Sequence, residues 1–325
     1  MQIFKCPTCQ TPLYFDNDRC ACGQQVSFDP EAQVMVVTSD RCANHAAIGC
    51  NWLPETDPEA EGLCRSCVMT EVVPDLRETD NQPLWARTEE AKRWMLANLA
   101  RWGWFTDADP GDRPVFRMLS EETAHGDAEV TMGHAFGVIT INVTEANEAL
   151  RAERQDQLGE LYRTMLGHMR HECAHFLFER LSKDKGFLHA FRQLIGDERA
   201  DYAKALERHY SAPRDPGETH VTPYATAHPH EDWAETVAHL LHLVDLADSA
   251  AAVGLALPGG PVPGYDAYAD PDTNAVLNHA IQLSMAVTHV NRALELPDLY
   301  PFVLTPPVRK KMGFTHRHLR VAAAE

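Results

Sequence analysis

The sequence predicts an α+β protein in which a small cysteine-rich module over residues 1–76 precedes a larger domain over residues 77–325. Three observations indicate this class. Eight of the nine cysteines lie before residue 68. A segment rich in β-branched residues follows near residues 114–143, and further along the chain apolar residues recur with the 3.6-residue period of helices. We therefore expect the larger domain to combine a small β-sheet with mostly helices.

The cysteines of the N-terminal module fall into two sets of four. Where thiols stay reduced, clustered cysteines indicate metal ligands rather than disulfides. The first predicted zinc site comprises Cys6, Cys9, Cys20 and Cys22. The second predicted zinc site comprises Cys42, Cys50, Cys64 and Cys67. Four thiolates complete a tetrahedral site and leave no open position, so we expect both zinc ions to be structural.

Two alternatives stay open for this module. Some of the cysteines could be buried without metal, although so small a segment has little core to stabilise it. His45 could replace Cys42 as a ligand in the second set. Residues 1–80 carry five Lys and Arg against thirteen Asp and Glu, a net charge of −8. This charge favours contact with a protein partner over contact with nucleic acid.

The composition of the whole chain points the same way. Hydrophobic residues make up 44% and charged residues 23%, which is typical of a folded protein. The net charge of −18 disfavours nucleic acid as a partner, because binding it requires Lys and Arg to neutralise phosphates. The N-terminus shows no secretory pattern and no apolar run reaches about 18 residues. We therefore expect a cytoplasmic protein that does not enter a membrane.

Periodicity and turn residues place the elements of the larger domain. A helix is predicted from an N-cap at Thr88 to Trp102, because apolar residues between them share one face. β-Branched residues predict strands at residues 114–119 and 137–143. The later predicted elements are helices at residues 155–182, 187–209 and 229–247, a loop rich in Gly and Pro at residues 254–273, and a helix at residues 274–295.

An HExxH motif lies inside the first of these later helices, at residues 171–175. On a helix, His171 and His175 are one turn apart on the same face, so both imidazoles can reach one zinc ion. Glu172 lies beside them and is placed to take a proton from a metal-bound water. The motif therefore predicts a catalytic zinc site, which still needs a third protein ligand and an open position.

The helix predicted at residues 229–247 offers the third ligand. Glu231 and Glu235 lie four residues apart on one face of that helix. We assign Glu231 as the zinc ligand, and Glu235 as the acceptor of a hydrogen bond from the far nitrogen of a ligand histidine. Asp197 or Asp201 in the segment GDERADY is the competing source of the third ligand.

Three further residues need an interpretation. Tyr224, seven residues before Glu231, could donate a hydrogen bond to the oxyanion of a tetrahedral intermediate, or it could be a buried structural tyrosine. His168 lies on the same helix face as His171 and is predicted to pack around the site. Cys173 lies about 200° around the helix from His171, so we interpret it as a core residue rather than a nucleophile.

The chain resembles the bacterial zinc-binding metallopeptidases that carry an N-terminal zinc-ribbon domain, over residues 6 to about 304. The segments that carry the resemblance include CPTC, LCRSC, GVITIN, MRHECAH, GDERADYA and HPHEDWAE. The resemblance implies a zincin-like peptidase domain with a glutamate as third ligand, and hence His171, His175 and Glu231 with Glu172 as base. In similar glutamate zincins a tyrosine seven residues before the ligand glutamate assists catalysis, which implies this role for Tyr224. Ala174 stands where the family tends to have Gly.

The sequence therefore predicts a zinc-dependent hydrolase of peptides or amides, with one catalytic and two structural zinc ions. The substrate would be a peptide or protein, and a protein partner would bind through the zinc-ribbon module. The alternative is a zinc-stabilised, non-catalytic protein-binding adaptor with a vestigial zincin site. A nucleic-acid-binding zinc ribbon is disfavoured by the charge.

Overall fold

The structure, a computed structural model, describes residues 1–261 and 264–321. Residues 262 and 263 of the predicted loop at 254–273 lie outside the described residues. The described helices are α1 (His45–Ile48), α2 (Arg65–Val68), α3 (Asn81–Ala100), α4 (Glu148–Leu158), α5 (Met165–Leu181), α6 (Lys185–Leu194), α7 (Tyr202–Ser211), α8 (Pro229–Ala252), α9 (Thr273–Ala293) and α10 (Pro306–Val321). The described strands are β1 (Phe4–Lys5), β2 (Pro12–Leu13), β3 (Val26–Asp29), β4 (Val34–Val37), β5 (Thr70–Val72), β6 (Val115–Leu119), β7 (Glu122–Thr123), β8 (Gly126–Asp127), β9 (Gly133–Ala135) and β10 (Val138–Asn142).

These elements confirm the α+β prediction. The chain divides into two compact units, Met1–Met169 and Arg170–Glu325. That division differs from the compositional boundary at 76/77, which stays a prediction about domains. In the described part of the chain, no helix combines the length and apolarity that crossing a membrane requires.

The first unit contains all of the strands named above. Four of them form a mixed sheet in the order β5-β6-β10-β9, in which β6 lies parallel to both β5 and β10 and β9 is antiparallel. Its core face comes from alternating buried residues such as Phe116, Met118, Ile139 and Ile141, the period-2 pattern of a half-buried strand. The three hairpins β1–β2, β3–β4 and β7–β8 are each two-stranded.

Helix α3 begins seven residues before its predicted N-cap. Thr88 is buried inside the helix, where its hydroxyl donates to the Leu84 carbonyl at 2.8 Å. A threonine can satisfy its hydroxyl in this way within a helix, so a hydroxyl before an apolar run does not always mark a helix start. The prediction of an N-cap at Thr88 was therefore wrong.

The second unit is helical, and α8 is its central element. Pro229 occupies the first turn, and the His228 side chain caps the helix by accepting from the His230 N–H at 3.1 Å. Sixteen of the 24 residues of α8 are buried, so the helix is enclosed on most sides. Aromatic side chains pack around it in a cluster that comprises Phe178, Phe187, Phe191, Trp233 and Phe314.

Two predicted helices are each broken in the structure. The helix predicted at 155–182 is divided into α4 and α5 by Gly159, which has φ +64 and ends α4. The helix predicted at 187–209 is divided into α6 and α7 near Gly196, which has φ +144. A Cβ at Gly196 would lie 2.9 Å from Pro229 Cγ, so glycine allows the start of α8 to approach closely here. Leu161, which falls inside the helix predicted at 155–182, lies between α4 and α5 and is 62% exposed.

Candidate metal centre

Helices α5 and α8 position the candidate metal centre. The HExxH motif lies in the middle of α5, and Glu231 lies in the first turn of α8. The two helices are joined by a buried hydrogen bond from Trp233 Nε1 to the Ala174 carbonyl, at 2.8 Å. Ala174 lies next to His175, and Trp233 lies two residues after Glu231, so this bond sets the spacing of the ligand side chains.

Three candidate ligand atoms converge on one point. His171 Nε2 lies 3.2 Å from His175 Nε2 and 3.0 Å from Glu231 Oε2, and His175 Nε2 lies 3.5 Å from the same carboxylate oxygen. Tetrahedral ligands about 2.0–2.1 Å from zinc lie about 3.3–3.4 Å from one another. Two imidazole nitrogens and a carboxylate oxygen at these separations are therefore a donor set that fits zinc.

The electrostatics of the centre favour a cation between these groups. Burial alone would raise the pKa of Glu231, but its hydrogen bonds with His171 and His175 outweigh burial and hold the pKa well below the usual range. The Glu231 and Glu235 carboxylates likewise outweigh burial and raise the pKa of His171. The two buried carboxylates therefore supply negative charge beside the histidines, which a cation at the point of convergence can balance.

Glu235 contacts the outer side of His171. Its Oε1 lies 2.7 Å from His171 Nδ1, and its Oε2 accepts a hydrogen bond from the Thr222 hydroxyl at 2.7 Å. With Nδ1 as the donor to Glu235, Nε2 presents its lone pair to the point of convergence.

Glu172 is 8% exposed, and its Oε2 atom is buried without a hydrogen-bond partner in the part of the chain that the structure describes. A buried carboxylate oxygen without a partner is costly, which makes this atom an acceptor in need of a proton donor.

Tyr202 is a residue that the sequence reasoning missed. It begins α7, and its hydroxyl donates to Glu231 Oε1 at 2.7 Å, on the carboxylate oxygen that faces away from the histidines. The Tyr202 hydroxyl fixes the orientation of Glu231, so that Oε2 faces His171 and His175. In the sequence, the segment GDERADY suggested only its carboxylates as ligands. Because one continuous helix was predicted over residues 187–209, no sequence signal placed Tyr202 at the start of a helix.

The other predicted site residues have varied positions. The Tyr224 ring lies beside His171, with ring centroids 5.8 Å apart. His168 Nε2 lies 3.6 Å from Glu145 Oε2 in the first unit. Cys173 is fully buried, and burial raises the pKa of its thiol, which keeps the thiol protonated and unreactive.

The competing third ligands have other partners. Asp197 is exposed and pairs with Arg199 at 2.7 Å. Asp201 accepts from the Lys204 backbone N–H as the N-cap of α7 and pairs with the Lys204 side chain at 3.0 Å. Neither aspartate belongs to the group of converging ligand atoms, which favours Glu231.

The first cysteine set forms a cluster near the N-terminus. Sγ atoms lie 3.9 Å apart between Cys6 and Cys22 and 3.5 Å apart between Cys9 and Cys20. Thiolates about 2.3 Å from a tetrahedral zinc lie about 3.8 Å apart, whereas a disulfide requires about 2.05 Å. Hydrogen bonding from the side chain and backbone of Thr11 lowers the pKa of Cys9 to about 6, which favours the thiolate that a metal needs.

The second cysteine set is fully buried. The Cys50 Sγ lies 3.5 Å from Cys64 Sγ and 3.8 Å from Cys67 Sγ, and Cys42 Sγ accepts from the Cys64 N–H at 3.3 Å. These distances again fit four thiolates around zinc. Both clusters gather the cysteines that the sequence grouped together.

Two basic residues lie beside the second cluster. His45 contacts the Cys50 carbonyl through Nδ1 at 3.0 Å and Arg41 through its ring, and it is not among the converging ligands. Arg93 is 3% exposed. Burial lowers the pKa of its guanidinium, but Cys50 and the other nearby charges raise it by more, so the net shift is upward. A buried guanidinium beside four thiolates offsets the negative charge of a metal–thiolate cluster.

Comparison with known proteins agrees with this arrangement. Residues 81–318 match the family described as "Putative zinc-binding metallo-peptidase", and residues 3–78 match a zinc-ribbon domain. The chain is 39% identical over 328 residues to three uncharacterized mycobacterial proteins, Mb2598c of Mycobacterium bovis and MT2644 and Rv2568c of two Mycobacterium tuberculosis strains. The alignments cover 97% of this chain and 94% of each relative. No solved structure matches the chain. The resemblance inferred from the motifs is thus confirmed, and the chain belongs to this family of zinc-binding metallo-peptidases with an N-terminal zinc ribbon.

Proposed function

We propose that this protein is a zinc-dependent hydrolase of peptide or amide bonds. The observation that carries the proposal is the pairing of two features on α5 and α8. Three ligand atoms of His171, His175 and Glu231 converge with separations of 3.0–3.5 Å. Glu172 directly follows the first ligand, His171. Its carboxylate oxygen Oε2 is buried and has no hydrogen-bond partner among the described residues. Three protein ligands and a nearby base are what zinc-assisted hydrolysis requires.

Each residue has one task in the proposed reaction. When bound, zinc supplies Lewis-acid chemistry, lowering the pKa of a water ligand to about 7 and polarising the substrate carbonyl. Glu172 accepts the proton of the attacking water and returns it to the leaving amine nitrogen. The Tyr224 hydroxyl donates to the oxyanion that develops on the carbonyl oxygen.

Glu235 and Tyr202 keep the ligands in position during this reaction. Glu235 holds the His171 ring through Nδ1, and Tyr202 holds the outer oxygen of Glu231. Outer contacts of this kind orient metal ligands and tune their basicity.

The proposal assigns three zinc ions to the chain, one catalytic and two structural. The cysteine clusters are closed sites, because four thiolates leave no position for substrate. We assign the N-terminal module, over residues 1–76, to stability and to contact with a protein partner. The reduced thiols favour a cytoplasmic location.

A matched pair of variants tests the catalytic part. Glu172→Gln should retain the same zinc content as the wild type and lose cleavage of a broad peptide library, because it removes the base but no ligand. Glu179→Gln, an exposed position on the same helix, should retain both properties. Zinc is measured by mass spectrometry of the intact protein under native conditions.

Full cleavage by Glu172→Gln would refute the mechanism. A wild type that holds zinc but cleaves nothing would refute the hydrolase and favour the adaptor.

A further inference from the structure

A cavity of about 190 Å³ lies along one side of α7, in the second unit. Its lining residues are Ala205, Arg208, His209, Ala212, Arg214 and Ala227. The first four recur at the spacing of one helix face, so the helix itself forms one wall. We call this space the arginine cavity.

The polar lining of the arginine cavity is basic. Arg208, His209 and Arg214 contribute to it, and no carboxylate does. Arg214 is tied to the chain by a hydrogen bond from its Nη2 to the Thr226 carbonyl, and Arg208 Nε donates to the Lys204 carbonyl at 3.2 Å. Backbone carbonyls accept these hydrogen bonds without neutralising either guanidinium.

Arg208 and Arg214 differ from other arginines nearby in the sequence, which pair with carboxylates. Arg192 pairs with Glu198, and Arg199 pairs with Asp197 at 2.7 Å. Across residues 1–261 and 264–321, no ion pair joins Arg208 or Arg214 to a carboxylate. In a chain with 47 Asp and Glu against 29 Lys and Arg, carboxylates are abundant. Asp201 acts electrostatically on Arg208 and Glu231 on His209, but neither carboxylate lines the cavity, so the lining itself carries a net positive charge.

His209 adds a polar atom to the same wall. Its Nδ1 is buried and lacks a hydrogen-bond partner within the described residues. Burial and the nearby Arg214 charge lower the pKa of His209, so at neutral pH the positive charge of the cavity is that of the arginines. A neutral imidazole still offers one N–H donor.

The arginine cavity lies close to the candidate metal centre. The rings of His209 and Tyr224 have centroids 5.5 Å apart, and Tyr224 in turn lies 5.8 Å from the His171 ring. Ala227 follows the 3₁₀ turn Tyr224–Thr226, which leads into α8 and Glu231. Since an extended peptide advances about 3.3 Å per residue, a group a few residues from a bond at the metal centre can reach the cavity.

We propose that the arginine cavity binds a carboxylate of the substrate, either an Asp or Glu side chain or the C-terminal carboxylate of a peptide. The inference rests on the proposed hydrolase function and specifies its substrate class. Guanidinium groups bind carboxylates through paired, charge-assisted hydrogen bonds, which suits Arg208 and Arg214. The cavity is smaller than the roughly 300–1,000 Å³ of sites for whole small-molecule ligands, so it suits a single side chain or chain terminus.

Matched peptides test the proposal. The probes are N-acetylated hexapeptides with Gln replaced by Glu at each position in turn, each made with a C-terminal amide and with a C-terminal carboxylate. Cleavage by the wild type gives kcat/KM for each member. Isothermal titration calorimetry with zinc-loaded Glu172→Gln gives peptide affinity without turnover.

We expect a preference of about 10-fold or more for a carboxylate at one position, in both readouts. The double variant Arg208→Met and Arg214→Met should lose this preference and keep its affinity for the all-Gln amide. The control Arg199→Met should keep the preference, because Arg199 does not line the cavity. Preference for Glu indicates a side-chain carboxylate, and preference for the non-amidated end indicates the chain terminus.

The outcomes separate this inference from the hydrolase itself. Cleavage or binding that is indifferent to Glu and to the terminal carboxylate overturns the cavity proposal and leaves the hydrolase standing. Carboxylate-dependent binding without any cleavage supports the cavity and refutes the hydrolase. The wild-type comparison needs no variant, so it decides the question even if the double variant does not fold.

Discussion

Removing one hydroxyl should weaken zinc binding at the candidate metal centre without changing a ligand. Tyr202→Phe deletes the donor that lies 2.7 Å from Glu231 Oε1 and leaves the ring in place. A hydrogen bond to a charged group contributes about 1.5–3 kcal/mol. Glu231 is fully buried, but Tyr202 is 41% exposed, so water can replace part of the lost bond and the lower figure applies. At about 1.4 kcal/mol for each factor of ten, zinc affinity should fall about 10-fold.

The assay is a chelator competition titration that follows zinc release from the intact protein. We assign to the candidate metal centre the release step that disappears in Glu231→Ala, a variant that should keep the two zinc ions of the cysteine clusters. Tyr210→Phe, at an exposed position on the same helix, is the control and should bind zinc as the wild type does. Wild-type zinc affinity in Tyr202→Phe would refute the reasoning that this hydroxyl orients the ligand.

Three further predictions concern stability. Lys311→Met should lower the unfolding free energy, measured by urea denaturation, by about 3 kcal/mol. The variant leaves Asp232 buried without the Lys311 ammonium, which lies 2.5 Å away in the wild type. Glu145→Gln should lower the unfolding free energy more at pH 7 than at pH 3. His168 and two arginines outweigh burial and hold the pKa of Glu145 far below its usual range, so this contribution is present above about pH 4.3 and is lost as the pH falls below that value. Cys64→Ser should remove one structural zinc and lower the thermal midpoint, because closed zinc sites contribute folding free energy.

Each of these predictions has its own check. Lys310→Met, an exposed neighbour on α10, should leave stability within about 0.5 kcal/mol of the wild type, and an equal loss in both variants would contradict the role of the buried pair. A loss in Glu145→Gln that grows toward pH 3 would reverse the expected sign. Cys173→Ala should retain every zinc ion, and an unchanged midpoint in Cys64→Ser would show that the second cluster does not stabilise the fold.

Local patterns predicted the parts of the site that are local. His171 and His175 are four residues apart on one helix, so their convergence follows from helix geometry alone. Glu231 comes from another helix, and it could be proposed because it lies four residues before Glu235 on one face of the helix predicted at residues 229–247. The contact of Tyr202 with Glu231 spans 29 residues and depends on the break at Gly196. A glycine within a helical pattern is tolerated in many helices, so the sequence did not show that this one separates α6 from α7.

Helix α7 links two sites through one rigid element. Tyr202 at its first residue contacts a candidate metal ligand, and Arg208 and His209 in its last turn line the arginine cavity. Ala205 is its single buried residue, so little apolar contact holds the helix in place. A shift of α7 therefore changes both sites together, and linkage requires the effects on the two binding equilibria to be equal. If zinc changes the affinity for the carboxylate by some factor, the bound carboxylate changes the affinity for zinc by the same factor, so the metal content of the protein would depend on whether substrate is bound.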